Sequence, residues 1–194
     1  MIISDNILSP QVFNCLCNEI FSQSFPWYYV STSYDDNLNT IHDHSFYHMP
    51  ISDGQLNSQV GQYCYMSLLM ILDKLNVQIN QVERARLGLL EPKSVGKYTN
   101  RPHIDKSEDH YVGLLYLNDS DGETIIYNEK YDLSSEIDPT TFYETTLQKN
   151  LTVRKKVECK ANRFVMFNGL HYHSSTCPTN VDRRIALNFN FTII

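Results

Sequence analysis

The fold of this chain is encoded most clearly in one stretch, Ala161-Asn-Arg-Phe-Val-Met-Phe-Asn-Gly-Leu-His171-Tyr-His173-Ser-Ser-Thr-Cys-Pro178-Thr-Asn-Val-Asp-Arg183-Arg184-Ile-Ala-Leu-Asn-Phe-Asn-Phe191. The short apolar run at 163–167 and the alternating run at 184–191 predict two strands. Between them stand Asn168-Gly169, a pair of histidines and a proline-containing loop. The stretch therefore predicts a strand, a histidine-bearing turn, a loop and a second strand, in that order.

Upstream of this stretch, the sequence pattern changes at about residue 83, from helical spacing to short strand-like runs. Further short runs of β-branched and aromatic residues lie at 85–90, 111–117, 123–127 and 151–157. Before them, Ser9-Pro10 and the apolar residues that follow at helical spacing predict a short amphipathic helix. A second apolar stripe, between Gln55 and Leu75, predicts a longer helix. Residues 25–50 show no sustained period, which favours loops and short strands.

A helical start followed by closely spaced strands predicts a mainly β fold with supporting α-helices, an antiparallel sandwich or jelly roll whose N-terminal helices pack on one sheet. We expect a single domain over 1–194, with helical and loop support at 1–80 and the jelly-roll core at 81–194. A polar excursion at 129–150 is too long for a hairpin turn. A lid and a tolerated surface insertion are equally consistent with it.

Composition limits the possible partners and the compartment. The 194 residues carry 16 basic and 22 acidic side chains, a formal charge of −6, which disfavours nucleic acid as the main partner. The five cysteines are scattered and never in Cys-x-x-Cys spacing, so we expect reduced thiols. No apolar run approaches the length of a membrane span, which predicts a soluble, cytoplasmic protein.

His103 and Asp105 are the residues upstream that suit a metal. In an extended segment, residues two apart point to the same side, so both can reach one ion. On its own this spacing is a weak signal, since a surface histidine beside an exposed aspartate is common. Together with a histidine from the 171–173 pair it becomes more specific. Two histidines and one carboxylate leave metal positions open, as non-haem Fe(II) oxygenases require.

The alternation of the last predicted strand indicates which way Arg184 points. It shares one face with Ala186, Asn188 and Asn190, whereas the apolar residues share the other face. If the apolar face packs on the helices, the polar face lines the interior, where an isolated guanidinium is costly unless it meets an anion. Arg183 is expected to point the opposite way.

Three further motifs complete the pattern: Tyr98-Thr-Asn-Arg-Pro-His103, Leu115-Tyr-Leu-Asn118 and Asp121-Gly-Glu-Thr124. With them, the chain resembles the iron(II)- and 2-oxoglutarate-dependent dioxygenases, particularly the prolyl-hydroxylase-like branch and the small phage-type members. The resemblance covers roughly residues 84–191 and is weaker around Phe25-Pro-Trp27 and His44-Ser-Phe-Tyr47.

The resemblance implies a double-stranded β-helix with Fe(II) bound by His103, Asp105 and His173. His173 is preferred to His171 because, in similar sequences, the ligand precedes small residues and a proline; His171 is then a pocket-rim or surface residue. Arg184 falls where the family binds the distal carboxylate of 2-oxoglutarate, a role that suits a planar guanidinium.

Two tyrosines are weaker candidates for the same cosubstrate. Tyr98 and Tyr116 stand where further contacts to 2-oxoglutarate are plausible, although ordinary packing explains many of the 13 tyrosines of this chain.

The implied function is hydroxylation of a C–H bond with O2, releasing succinate and CO2. A protein or peptide side chain is the first expectation for the substrate, and a free amino acid or other small molecule the second. A non-catalytic jelly-roll binding module is the alternative of another class. A carboxylate at Asp105 favours hydroxylation over halogenation, because related halogenases lack it.

The remaining histidines suit packing better than metal binding. His42, His44 and His48 have no supporting acid at ligand spacing and lie among aromatic residues, and His110 is expected in a turn.

Overall fold

The computed structural model describes residues 1–30, 44–142, 144 and 150–194. Within these ranges the helices are α1 (Pro10–Ile20), α2 (Val60–Lys74) and α3 (Pro139–Phe142). The strands are β1 (Ile2–Ser4), β2 (Tyr28–Val30), β3 (Ser45–Ser52), β4 (Gln55–Leu56), β5 (Ile79–Leu90), β6 (Tyr111–Tyr116), β7 (Ser120–Lys130), β8 (Val153–Cys159), β9 (Phe164–Asn168), β10 (His171–Ser175) and β11 (Arg184–Ile193).

The strands form two antiparallel sheets. The larger sheet has the order β1-β9-β6-β11-β5-β3-β2, with β4 paired to β3, and the smaller has the order β10-β7-β8. Isolated bridges at Thr99–Thr176 and His103–His173 add the segment before β6 to the edge of β10. The predicted fold class is confirmed: the protein is mainly β, with the sheets of a jelly roll.

Helix α1 begins at the cap that Ser9-Pro10 predicted. Ser9 caps α1, since its Oγ accepts a hydrogen bond from the Val12 amide, and Pro10 occupies the first turn, where no intrahelical donor is lost. None of the helices in the described ranges is long and apolar enough to cross a membrane.

The apolar face of β11 carries the larger of the two main cores. Leu187, Phe189 and Phe191 are fully buried and belong to one cluster with Leu68 and Ile71 of α2. This arrangement confirms that the helices pack on one sheet. Because a strand alternates sides, the same packing directs the other face of β11 toward the smaller sheet.

A second core lies between the two sheets. Val112, Phe167 and Ala186 from the larger sheet cluster with Ile126 and Val157 from the smaller one. The site described below lies beside this core, so both sheets contribute its residues.

Two predicted boundaries were wrong. The second helix begins at Val60, because residues 55–56 form β4 after a two-residue Asp53-Gly54 loop in which both residues have positive φ. That loop is a hairpin signal that the helical stripe had masked. The polar excursion also begins later than expected, since β7 continues to Lys130. Residues 143 and 145–149 of the excursion lie outside the described residues.

An ion pair links the end of β1 to the residue before β9, its neighbour in the larger sheet. Asp5, directly after β1, accepts hydrogen bonds from Arg163, directly before β9: Nε donates at 2.6 Å and Nη2 at 3.1 Å. Lys160 Nζ lies 3.3 Å from the same carboxylate. The hydrogen bond from Arg163 is the main reason that the pKa of Asp5 falls to about 2.

This pair predicts a pH-dependent contribution to stability. Asp5 has a lower pKa in the folded than in the unfolded chain, so its contribution is present above about pH 4 and is lost as the pH falls toward 2. We expect Asp5→Asn to lower the free energy of unfolding at pH 7, with a smaller loss at pH 3, in urea titrations. Asp182→Asn, at an exposed position, is the control. An equal loss at both pH values would contradict the pair's contribution.

Candidate metal centre

Two backbone hydrogen bonds bring the two predicted histidine ligands together. His103 N donates to His173 O and His173 N donates to His103 O, each at 2.9 Å, across the bridge between the segment before β6 and β10. The two rings lie side by side, with centroids 4.7 Å apart. Histidines 70 residues apart in sequence therefore become neighbours through one strand pairing.

Asp105, two residues after His103, lies beside both rings. Its Oδ1 lies 3.8 Å from Nε2 of His103 and its Oδ2 lies 3.8 Å from Nε2 of His173. One potential ligand atom from each of the three residues lies within 4.8 Å of the other two. Among the described residues, this is the group of three that could hold a metal ion.

The hydrogen bonds of both rings determine which nitrogen faces the metal position. Nδ1 of His103 lies 3.1 Å from the Arg101 carbonyl, and Nδ1 of His173 lies 3.1 Å from the His171 carbonyl. A carbonyl can only accept, so Nδ1 carries the proton in each ring. In the neutral form of such a ring, Nε2 carries the lone pair, and both Nε2 atoms lie beside Asp105, the arrangement that a metal ligand needs.

Burial keeps His103 in that neutral state. Desolvation is the largest cause, and the neighbouring His173 adds to it; together they lower the pKa of His103 to about 4. A ring with this pKa binds no proton at neutral pH, so a cation at this position does not compete with protons.

Three groups of the larger sheet fix the Asp105 carboxylate, one through an ion pair and two through hydrogen bonds. Arg84 Nη2 on β5 lies 2.8 Å from Oδ1. The side-chain amides of Asn188 and Asn190 on β11 donate to Oδ2 at 3.0 and 2.9 Å. Burial raises the pKa of Asp105, but Arg84 and the two histidines outweigh it and hold that pKa well below its usual range. Asp105 is therefore ionised and held in one orientation.

This donor set fits an oxygenase iron. Two imidazole nitrogens and one carboxylate are the ligands of the facial triad that leaves positions open on Fe(II). The two 3.8 Å separations are shorter than twice a metal–ligand bond of about 2.1 Å, so one ion between the atoms can touch both. His103 and His173 also line a cavity between the sheets, so a ligand that enters this space could reach an ion held by the three residues.

Arg184 lines the same cavity and carries a buried donor without a partner. Its Nη2 donates to Thr124 Oγ1 at 2.8 Å, and its guanidinium lies 5.4 Å from the centre of the Tyr116 ring. Within the described part of the chain, its buried Nε has no hydrogen-bond partner. A buried guanidinium with an unused donor fits an anionic ligand such as a carboxylate.

Glycine at 122 lets Arg184 approach this position. A Cβ on Gly122 would lie 2.6 Å from the Thr176 carbonyl and 2.8 Å from Arg184 Cδ. Arg183 is exposed and rests on the Phe21 ring at 5.5 Å, on the side opposite Arg184, as the alternation predicted.

The two tyrosine candidates take different places. Tyr116 is fully buried and its hydroxyl donates to Thr124 Oγ1 at 2.7 Å, so it supports the cavity wall through Thr124. Tyr98 is half-buried, its carbonyl accepts from the Cys177 amide, and it is absent from the described cavity wall. A direct role for Tyr98 in the site gains no support from this geometry.

His171 is neither at the pocket rim nor on the surface, so that expectation was wrong. It is buried, its Nδ1 donates to the Tyr127 carbonyl at 2.9 Å, and Arg154 Nη1 donates to its Nε2 at 2.6 Å. The pairing register of β10 with β7 shifts between His171 and His173. Because Arg154 occupies the lone pair of Nε2, His171 cannot offer it to a metal.

The other histidines pack within the fold. His48 is buried, its ring nitrogens bond the Pro26 carbonyl and the Ser58 hydroxyl, and its ring lies 4.8 Å from that of Phe25. His110 is buried against Gly169, where a Cβ would lie 2.1 Å from its Nε2. His42 lies outside the described residues.

Several residues near the site were not predicted from the sequence. Arg84 and Arg86 alternate with buried Ala85 and Leu87 along β5, a pattern that could have placed both arginines on the side of the sheet that faces the site. Thr124 belongs to the Asp-Gly-Glu-Thr motif, but nothing local indicates that its hydroxyl accepts hydrogen bonds from both Arg184 and Tyr116.

Thr124 generates a stability prediction. Thr124→Val keeps the shape but removes the acceptor used by Tyr116 and Arg184, so two buried donors lose their partner. We expect a loss of about 1–3 kcal/mol in the free energy of unfolding, measured in urea. Thr124→Ser, which retains the hydroxyl, is the control and should lose less. A valine variant as stable as the parent would show that these hydrogen bonds contribute nothing.

No protein-family model and no curated protein sequence matches the chain, but several solved structures are similar to it. The epimerase SnoN from nogalamycin biosynthesis, in complex with Fe3+, alpha ketoglutarate and nogalamycin RO, is similar over 98% of this chain and 78% of that one, at 11% identity and a TM-score of 0.65.

Two prolyl hydroxylases are also similar over 98% of this chain. One, from Trichoplax adhaerens in complex with a hypoxia inducible factor peptide fragment, is covered over 82% at 14% identity and a TM-score of 0.62. The other, a prolyl-4-hydroxylase from Pseudomonas putida, is covered over 90% at 15% identity and a TM-score of 0.54. The chain therefore has the fold of the 2-oxoglutarate- and Fe(II)-dependent oxygenases.

Proposed function

We propose that this chain is a 2-oxoglutarate- and Fe(II)-dependent dioxygenase that hydroxylates a C–H bond, acting as one catalytic domain over 1–194 in the cytoplasm. The observation that carries the proposal is one cavity with complementary walls. One wall offers two histidine Nε2 lone pairs beside an ionised carboxylate, and another offers a buried guanidinium with an unused donor.

The residues divide between the metal and the cosubstrate. His103, Asp105 and His173 would hold Fe(II), and Arg184 with Thr124 would hold the distal carboxylate of 2-oxoglutarate. When bound, iron and 2-oxoglutarate supply the activation of O2 that oxidises a C–H bond, with release of succinate and CO2.

The chain's own groups orient and protect rather than transfer protons. The carbonyls of Arg101 and His171 fix the ring orientations, and Arg84 with the two asparagines fixes the carboxylate. Thr124 Oγ1 accepts two hydrogen bonds, so its own O–H remains to donate to a ligand. No side-chain base is needed for this reaction.

A protein or peptide side chain is the proposed substrate. The similarity to two prolyl hydroxylases, one of them crystallised with a peptide fragment, supports it. An epimerase and a carbocyclase share the fold, so a free amino acid or another small molecule is the second candidate. A binding module without turnover is the alternative that the ligand geometry favours least.

The assignment of the metal ligands can be tested by spectroscopy. Anaerobic addition of Fe(II) and 2-oxoglutarate should give a weak visible charge-transfer band, and O2 should then yield succinate. We expect His103→Ala, Asp105→Ala and His173→Ala to lose both the band and succinate formation, because each removes one of three ligands.

His171→Gln is the matched control, since it changes the neighbouring histidine of β10. We expect it to retain the band. A band that survives in His173→Ala and disappears in His171→Gln would reassign the distal ligand, and no band in the parent protein would refute the proposed function.

Arg184 predicts a separate effect on the cosubstrate. Arg184→Gln removes a charge-assisted bond to the distal carboxylate, so the KM for 2-oxoglutarate should rise about 10- to 100-fold in succinate-release assays. Arg183→Gln, one residue earlier and exposed, should leave this KM unchanged. Equal KM values for the Arg184→Gln variant and the parent would exclude Arg184 from the carboxylate site.

A further inference from the structure

The residues that neighbour the metal ligands along the chain belong to a core of their own. Ile104 separates His103 from Asp105, and Tyr172 directly precedes His173. Neither Ile104 nor Tyr172 lines the cavity between the sheets. Both are buried in a third core, whose other buried members are Ile125, Tyr127, Tyr131 and Leu170. The third core therefore packs against both segments that carry metal ligands.

The excursion after β7 contributes to this core. Tyr131 is one of its buried members, and the Phe142 ring of α3 packs edge-on against the Tyr131 ring, with centroids 5.6 Å apart. Pro139, at the start of α3, lines a small cavity with His103 and Ile104. None of the described residues of the excursion lines the larger cavity between the sheets. The described part of the excursion thus lies against a metal-binding segment and forms no wall of the cavity that a ligand would enter.

Two tyrosine hydroxyls hold the excursion against the third core. Tyr172 Oη donates to the Pro139 carbonyl at 2.8 Å, and Tyr131 Oη donates to the Ile137 carbonyl, also at 2.8 Å. A hydroxyl in such a position carries a desolvation cost if it loses its acceptor. Both bonds therefore favour one position of the excursion.

The excursion also contacts the residue whose carbonyl orients a ligand ring. Glu144 forms an ion pair with Arg101, and the Arg101 carbonyl accepts from Nδ1 of His103 at 3.1 Å. The carbonyl that accepts from Nδ1 of His173 belongs to the residue directly before Tyr172. Both carbonyls that set the ligand rings thus lie in backbone that the excursion holds, either directly or through the next residue.

We propose that Tyr131, Pro139 and Phe142 of the excursion form a brace for the metal ligands. The brace positions the His103 and His173 rings by holding the backbone that carries them, and so determines how tightly a metal ion binds. This inference rests on the metal site of the proposed function. Contacts beyond the ligands themselves typically contribute about 10- to 100-fold to metal affinity. The brace residues are positioning residues, because they act through the backbone of the ligands.

The test measures affinity for Co(II), which requires neither cosubstrate nor turnover. The metal-free protein is titrated by calorimetry, and the visible spectrum of bound Co(II) reports the geometry of its ligands. His173→Ala should abolish this binding and so identifies the site. We expect Phe142→Ala to raise the Kd for Co(II) about 10-fold and to change the spectrum. Phe142→Leu, which keeps an apolar side chain, should restore most of the affinity.

Tyr172→Phe gives a second test in a variant that keeps the buried ring. It removes only the hydrogen bond to the Pro139 carbonyl, so the Kd for Co(II) should rise by a smaller factor than in Phe142→Ala. This variant carries the test if Phe142→Ala does not fold.

Two controls separate positioning from general stability. Leu133→Ala removes an exposed apolar side chain from the same excursion and should bind Co(II) as the parent protein does. Ile71→Val leaves a gap in the core beneath the larger sheet. It should lower the free energy of unfolding in urea and leave the Kd for Co(II) unchanged.

The outcomes distinguish the brace from the dioxygenase. Parent-like Co(II) binding in Phe142→Ala and Tyr172→Phe, or a loss in Ile71→Val as large as in Phe142→Ala, would overturn the brace and leave the dioxygenase standing. Weaker Co(II) binding in the brace variants of a protein that forms no succinate would support the brace and refute the dioxygenase. A parent protein that binds no Co(II) would refute both.

Discussion

The site depends on one reciprocal pair of backbone hydrogen bonds, between His103 and His173. Those two bonds join the segment before β6 to the edge of β10, and they place both imidazoles on the same side of the smaller sheet. Each ring is then fixed by a carbonyl two residues earlier in its own segment. The metal-binding nitrogens are thus oriented by main-chain geometry, which resists change more than side-chain contacts do.

The larger sheet completes the site from the opposite side, through Asp105. A buried carboxylate is costly unless it is paired and hydrogen-bonded, and here β5 supplies an ion pair and β11 supplies two hydrogen bonds. Strand β11 therefore serves both the core and the site. Its apolar face packs on α2, and its polar face carries Arg184 and the two asparagines. The packing that stabilises the fold also determines where the site's polar groups stand.

The two sheets enclose a cavity that the two metal-site histidines and Arg184 line together. Along the larger sheet Arg184 pairs with Leu90, whereas Asn188, which binds the Asp105 carboxylate, pairs with Arg86. Because a guanidinium in a confined space attracts an anion, a carboxylate held at Arg184 would share this cavity with an ion held by the three ligand residues.

The sequence alone determined what depends on local periodicity. The alternation of β11 assigned Arg184 to the interior, and the spacing of His103 and Asp105 placed both on one side of their segment. Tertiary structure decided what depends on pairing between distant strands. The hydrogen bond from Arg154 occupies Nε2 of His171, whereas Nε2 of His173 lies beside Asp105. The donors around Asp105, the buried hydroxyl of Thr124 and the position of Arg86 come from three further strands. Periodicity fixes which side of a strand a residue faces, whereas its partner across the cavity is set by long-range pairing, which the local pattern does not encode.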